Sequence, residues 1–154
     1  MIAEIAREVG YKAALSVVPS YNTAATDRYM LKRTMLYSSD KVDKLKKILE
    51  KKPLKLDKMY PSDGEIVAAA PVTITAVLAE DSLLNTATIK FKMGNVLLDS
   101  AVYDTAAKTV SYTYLKKPLG NGVHVASVVA EGKEGGNYEY SWLFVIGTKV
   151  KDRE

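Results

Sequence analysis

Apolar and polar residues follow two rhythms along this chain, and the change falls between Pro53 and Pro61. Ile2, Ile5, Ala6 and Val9 recur at helical spacing, which predicts a short helix ending near Gly10, a residue suited to a left-handed stop. Tyr11 to Val18 (YKAALSVV) is a nearly continuous apolar run closed by Pro19. A run without alternation suits a strand buried on both faces, as in a parallel sheet. Residues 19–28 are a polar, turn-rich loop, and Tyr29 to Tyr37 reads as a second strand. Asp40 is the expected N-cap of a helix reaching about Lys52. Val42, Leu45, Ile48 and Leu49 form its apolar stripe, and Pro53 stops it.

Beyond Pro61 the period is two. Val72, Ile74, Ala76 and Leu78 alternate with more polar neighbours, as do Ala87, Ile89, Phe91 and Met93. Gly94-Asn95 turns the chain into Val96–Leu98. Val110, Tyr112 and Tyr114, then His124, Ala126, Val128 and Ala130, then Tyr140, Trp142, Phe144 and Ile146, mark three further strands. Roughly six or seven short strands with regular turn signals indicate an immunoglobulin-like antiparallel β-sandwich. The expected fold is therefore mainly β, with a small incomplete α/β segment (helix, strand, strand, helix) in front. The expected units are residues 1–56 and 57–154.

The first segment lacks cover for its own strands. Leaving Ala14, Leu15, Val17 and Val18 on a half-open sheet forgoes roughly 1.5–3 kcal/mol for each large side chain. The segment must pack on the second part, associate with another chain, or belong to a larger α/β domain. Association through the incomplete first unit is one of the three outcomes the pattern allows.

Charge follows the same division. Residues 1–58 hold 13 Lys/Arg and 7 Asp/Glu, a balance of +6, against −2 for the remainder and +4 overall. The 154 residues contain no cysteine and one histidine. Disulfides, thiolate sites and a histidine metal cluster within one chain are excluded. No apolar run approaches the roughly 18 residues of a spanning helix, so no membrane insertion is expected. The opening MIAEIAREVGYKAAL is not read as a secretory signal.

Candidate chemistry is sparse. His124 sits on an inward strand position and reads as a structural, hydrogen-bonded residue rather than a metal ligand. Glu131, Glu134 and Asn137 read as a polar hairpin. The lysines of the second helix lack the interleaved aromatics of a nucleic-acid surface, so no nucleic-acid partner is expected. Among ten tyrosines, Tyr138 and Tyr140 are the candidates for stacking on sugar rings, against the alternative of cross-strand packing. No catalytic residue and no metal ligand is assigned.

Two resemblances carry further expectations. Residues 61–146, with Tyr112, Pro118-Leu119, Gly122-Val123-His124, Glu131, Gly136-Asn137 and Trp142-Leu143-Phe144, resemble the Ig-like modules of bacterial surface and secreted proteins. Residues 1–52, through Gly10-Tyr11, Asn22, Asp27, Tyr29, Leu31 and Arg33, are similar to the C-terminal end of a NodB-type polysaccharide deacetylase domain. That family's Asp-Asp pair and His-x-x-x-His motif have no counterpart here. The resemblance implies a non-catalytic C-terminal fragment of a secreted or cell-surface deacetylase with an accessory Ig-like module. The parent would be a hydrolase using a divalent metal, with no cofactor in this chain. Arg33 is the position that would inherit a place near the active site. The alternative is a stand-alone Ig-like carbohydrate-binding, adhesion or spacer module. On either view the expected partner is a cell-wall or surface polysaccharide, met outside the cell or at its surface.

Overall fold

The computed structural model describes residues 2–24, 26–71, 73–114 and 119–147. Val72 and Pro118, named above, lie outside the described residues. The chain divides into two compact units, Met1–Leu49 and Glu50–Glu154. The division falls ahead of residue 56 because Lys52 and Pro53 already pair with the second unit's last strand.

The second unit is a sandwich of two sheets. Its strands are β1 (Lys52–Pro53), β2 (Leu56–Tyr60), β3 (Glu65–Val67), β4 (Thr73–Leu78), β5 (Lys90–Met93), β6 (Val96–Leu98), β7 (Val102–Asp104), β8 (Thr109–Thr113), β9 (Gly122–Glu131) and β10 (Asn137–Ile146). The larger sheet runs β1-β10-β9-β5-β6, with β3 also on β10, and the smaller runs β2-β4-β8-β7. Pairing is antiparallel except for β1 and β3, which join β10 in parallel.

Alternation explains the core. Ile74, Ala76 and Leu78 of β4, Phe91 of β5, Val110 of β8, Ala126, Val128 and Ala130 of β9, and Trp142, Phe144 and Ile146 of β10 are all buried between the sheets. Trp142 lies at the centre, its ring edge-on to Phe91 with centroids 6.1 Å apart. Its indole N–H donates to the Pro61 carbonyl at 2.8 Å, so the one polar atom of the largest core side chain is satisfied. Ala87, expected in a strand, falls instead in a one-turn 3-10 helix over Thr86–Thr88, capped by the Asn85 side chain.

The first unit departs from expectation. Helices α1 (Ile2–Glu8) and α2 (Val42–Glu50) form near their predicted places, and Gly10 takes the left-handed stop with φ 86°. The two expected strands do not. Residues 14–18 and 28–33 touch through a short parallel ladder whose one bridge is Leu15 with Leu31. Val18 is buried, but Leu15 and Val17 stay exposed, so the apolar run is covered on one side only. The loop is held by side chains instead. Asn22 accepts from the Lys32 N–H at 2.8 Å and donates to the Lys32 carbonyl at 2.9 Å, a two-bond clamp. Tyr29 is buried, with its hydroxyl on the Tyr11 carbonyl and the Arg7 guanidinium 4.7 Å above its ring. Asp40 does not cap α2; its carboxylate accepts from the Tyr37 N–H and the Lys44 ammonium. Those two bonds, the Lys44 one first, hold its carboxyl below the usual carboxylate range.

Candidate functional site

The outer face of the larger sheet carries a cup of about 430 Å³. Side-chain length makes it. Across the sheet the register sets Lys90 of β5 beside Val129 of β9, and Val129 beside Glu139 of β10. One row along, Lys92 faces Ser127, which faces Ser141. Short side chains in the middle strands form the floor. Long ones on β5, with Leu97 of β6, form one wall, and Glu139 with Lys51 forms the other. Ser127 and Ser141 are buried and joined through their hydroxyls at 2.8 Å, so the floor beside the cup is polar and satisfied.

The rim is built by the β9–β10 turn and the 3-10 segment. The Thr88 hydroxyl donates to the Asn85 carbonyl at 2.7 Å and accepts from the Glu131 N–H at 2.9 Å. Gly132 is required where it stands. A Cβ there would lie 2.6 Å from the Gly135 carbonyl oxygen and 2.9 Å from the Tyr138 ring.

Charges in the cup are unevenly matched. Lys51 pairs with Glu139, and Lys90 with Asp99 at 3.0 Å. Lys92 has no ion-pair partner among the described residues, and Asn137 stands at the opposite rim. Among the described residues no group of three or more His, Cys, Asp and Glu side chains is placed to hold a metal ion.

The residues singled out by the sequence fall in different places. Tyr138 and Tyr140 share the inward face of β10 and pack against the core, and only Tyr138 also lines the cup. Its ring carries the Lys52 ammonium 5.5 Å from the centroid. Burial, and then the nearby Asp63 carboxylate, push the Tyr140 phenol up. Arg33 belongs to the first unit, with an exposed side chain and a backbone N–H bonded to the Val18 carbonyl. His124 is half-buried, bonded through Nε2 to the Gly120 carbonyl at 2.7 Å and stacked on Phe144. Lys90, Lys92 and Glu139 were visible in the sequence only as outward positions of alternating strands. The register that gathers them was not.

Comparison with known proteins finds no matching family model and no matching curated protein. Similar solved structures include CopC from Methylosinus trichosporium OB3b (TM-score 0.49, 15% identity, covering 64% of this chain and 99% of that one). PcoC, a copper resistance protein from Escherichia coli, gives TM-score 0.46 and 15% identity over 60% of this chain and 98% of that one. The endo-beta-1,4-mannanase from Thermotoga petrophila gives 0.46 and 9% over 96% of this chain and 34% of that one. These likenesses are too low to carry an activity or a metal to this chain.

The comparisons as a whole correct the sequence reading. No family model or curated protein supports a deacetylase segment in residues 1–52, and the similar structures named first are CopC and PcoC. The expectation of a deacetylase fragment, with its metal-dependent parent hydrolase and its role in carbohydrate metabolism, is withdrawn. So is the assignment to the bacterial Ig-like family with its stand-alone carbohydrate-binding, adhesion or spacer alternative, while the two-sheet sandwich stands. The physical reason lies in residues 11–37. A barrel end needs two continuous strands there, and the chain forms one bridge held by side-chain clamps.

Proposed function

We propose that this chain is a non-catalytic binding module whose ligand sits in the cup on the outer face of the larger sheet. The observation that carries the reading is the Lys92 ammonium at one rim of the cup, four residues along the sheet from the cup's other charge unpaired among the described residues, the Glu131 carboxylate. Lys92 stands in a concave, polar site without a counter-ion among the described residues, while its neighbours Lys51 and Lys90 are already paired. An ammonium held this way attracts an anionic group, and Asn137 and Glu131 at the opposite rim offer hydrogen bonds to hydroxyls farther along the same ligand. The ligand chemistry that fits is a carboxylate or phosphate set among hydroxyls. An acidic surface polysaccharide supplies it as a polymer, and a small hydroxy acid or phosphate ester supplies it as a free molecule. Arg33 and Tyr140 have no part in this site, and Tyr138 contributes only its wall.

The test is a backbone amide shift titration with polygalacturonate, a glycerol-phosphate polymer, galacturonate, glycerol phosphate and an uncharged glucan. Shifts centred on Lys92, Leu97 and Asn137 are expected with the acidic ligands and not with the glucan. Polymer against monomer separates the two sources. Lys92→Ala should weaken binding about tenfold, as for a charge-assisted contact. No shifts at the cup with any acidic ligand, or binding indifferent to Lys92→Ala, would defeat the reading.

A further inference from the structure

The cup has a charge of opposite sign at each end. On the outer face of the larger sheet the register makes three rows: Lys92 with Ser127 and Ser141, then Lys90 with Val129 and Glu139, then Glu131 with Asn137. The middle row is electrically closed, because Lys90 pairs with Asp99 and Lys51 with Glu139. Lys92 in the first row and Glu131 in the last both line the cup, and neither has an ion-pair partner among the described residues. Glu131 lies four residues along β9 from Ser127, the residue that faces Lys92, so the two backbones stand about 14 Å apart. That is too far for the two side chains to neutralise each other, and a ligand lying along the cup meets both.

The acidic end is fixed in place by its backbone. The Glu131 carbonyl accepts from the Asn85 N–H at 2.8 Å, and its N–H donates to the Thr88 hydroxyl at 2.9 Å. Two residues on, the Lys133 N–H donates to the Leu83 carbonyl at 2.9 Å, so the turn is stitched to the segment ahead of β5 on both sides of Gly132. A carboxylate held at one end of a cup accepts a hydrogen bond from a hydroxyl or from an ammonium. The ammonium bond is charge-assisted and roughly twice as strong. Between the two ends the cup is lined by Ala87, Leu97 and Val129, which ask for no charge in the middle of a ligand. A second acid group reaching Glu131 would instead set like charges together.

We propose that the ligand of the cup is a zwitterion, with its acid group on Lys92 and an ammonium on Glu131, the two held on the order of 10 Å apart by an uncharged middle. This rests on the reading of the cup as a site for an anionic group and adds the second charge. The test is an amide shift titration of the full chain with 8-aminooctanoate, its N-acetyl derivative, octanedioate and 4-aminobutyrate. 8-Aminooctanoate should shift both the Lys92 and the Glu131 amides and bind about threefold to tenfold more tightly than its N-acetyl derivative. 4-Aminobutyrate, too short to reach both ends, should gain nothing over its own N-acetyl form. Glu131→Gln should erase the gain from the ammonium. Glu131→Lys should reverse the preference, so that octanedioate binds more tightly than 8-aminooctanoate. Acids that bind through Lys92 with no gain from an ammonium, or a gain that survives Glu131→Gln, would overturn this proposal and leave the anion site standing. If none of these compounds and no other acid shifts the cup, both fall together.

Discussion

The two units invert the usual relation between apolar content and burial. Among the described residues the sandwich buries fourteen apolar side chains in one cluster, whereas the first unit buries two, Val18 and Tyr29. The exposed large apolar side chains run the other way, eleven in the first unit against seven in the sandwich. Both segments are rich in Leu, Ile, Val and Tyr, so composition does not separate them. Pairing does. Strands β4, β5, β8, β9 and β10 point their apolar sets at the facing sheet, and burial is then worth roughly 1.5–3 kcal/mol for each large side chain. The ladder of residues 14–18 and 28–33 has no second layer, so its unit is held by directional bonds from Asn22, Tyr29 and Asp27 rather than by a core.

The contrast is broken most forcefully at Trp142. Trp142→Ala empties the centre of the sandwich and abandons the Pro61 carbonyl that its indole N–H satisfies. A loss of about 3–5 kcal/mol is expected, with loss of Phe91 packing. Denaturant unfolding followed by far-ultraviolet circular dichroism measures it. A loss below about 1 kcal/mol would mean that the sandwich core is not where its stability resides.

The matching change in the first unit is Asn22→Ala. It removes both bonds to the Lys32 backbone at once, for an expected cost of about 1–3 kcal/mol. The cost should fall on the first unit alone. Amide exchange should quicken at Ser16, Leu31 and Arg33, whose N–H groups form the ladder, and stay unchanged at Val128 and Trp142. Slowed unfolding, or exchange changes spread evenly over both units, would contradict a unit held by local clamps.

The same difference explains what could be read from sequence. Strands β4, β8, β9 and β10 were legible because period-two alternation is the direct imprint of a sheet with one face on a core. Strands β1, β2, β3 and β7 were not. They are two to five residues long and lie mostly exposed, so no alternation is imposed on them. The run from Tyr11 to Val18 misled for a related reason. A continuous apolar stretch signals burial on both faces only if something supplies the second face, and Leu15 and Val17 find nothing there. The cup was illegible because it depends on register. Lys90, Val129 and Glu139 are ordinary outward residues until pairing sets them in one row.

The smallest expected effect separates two tyrosines within the sandwich. The Tyr103 hydroxyl donates to the Asp81 carboxylate at 2.7 Å, while the buried Tyr114 hydroxyl has no partner among the described residues. Removing a satisfied hydroxyl costs stability, and removing an unsatisfied one relieves a desolvation penalty. Tyr103→Phe should therefore destabilise by about 1 kcal/mol, and Tyr114→Phe should be neutral or stabilising by up to about 1 kcal/mol. Alkali gives an independent reading. Burial above all, with a smaller contribution from Tyr112, pushes the Tyr114 phenol up to about 12 from its ordinary 10. The neutral phenol is thus favoured in the folded chain. The stability linked to it is fully present below about pH 10 and is lost as pH rises through about 12. Tyr114→Phe should flatten that alkaline decline while leaving stability near neutrality unchanged or higher. Equal destabilisation by both substitutions at neutral pH would show that Tyr114 is as well satisfied as Tyr103, and the distinction between them would fall.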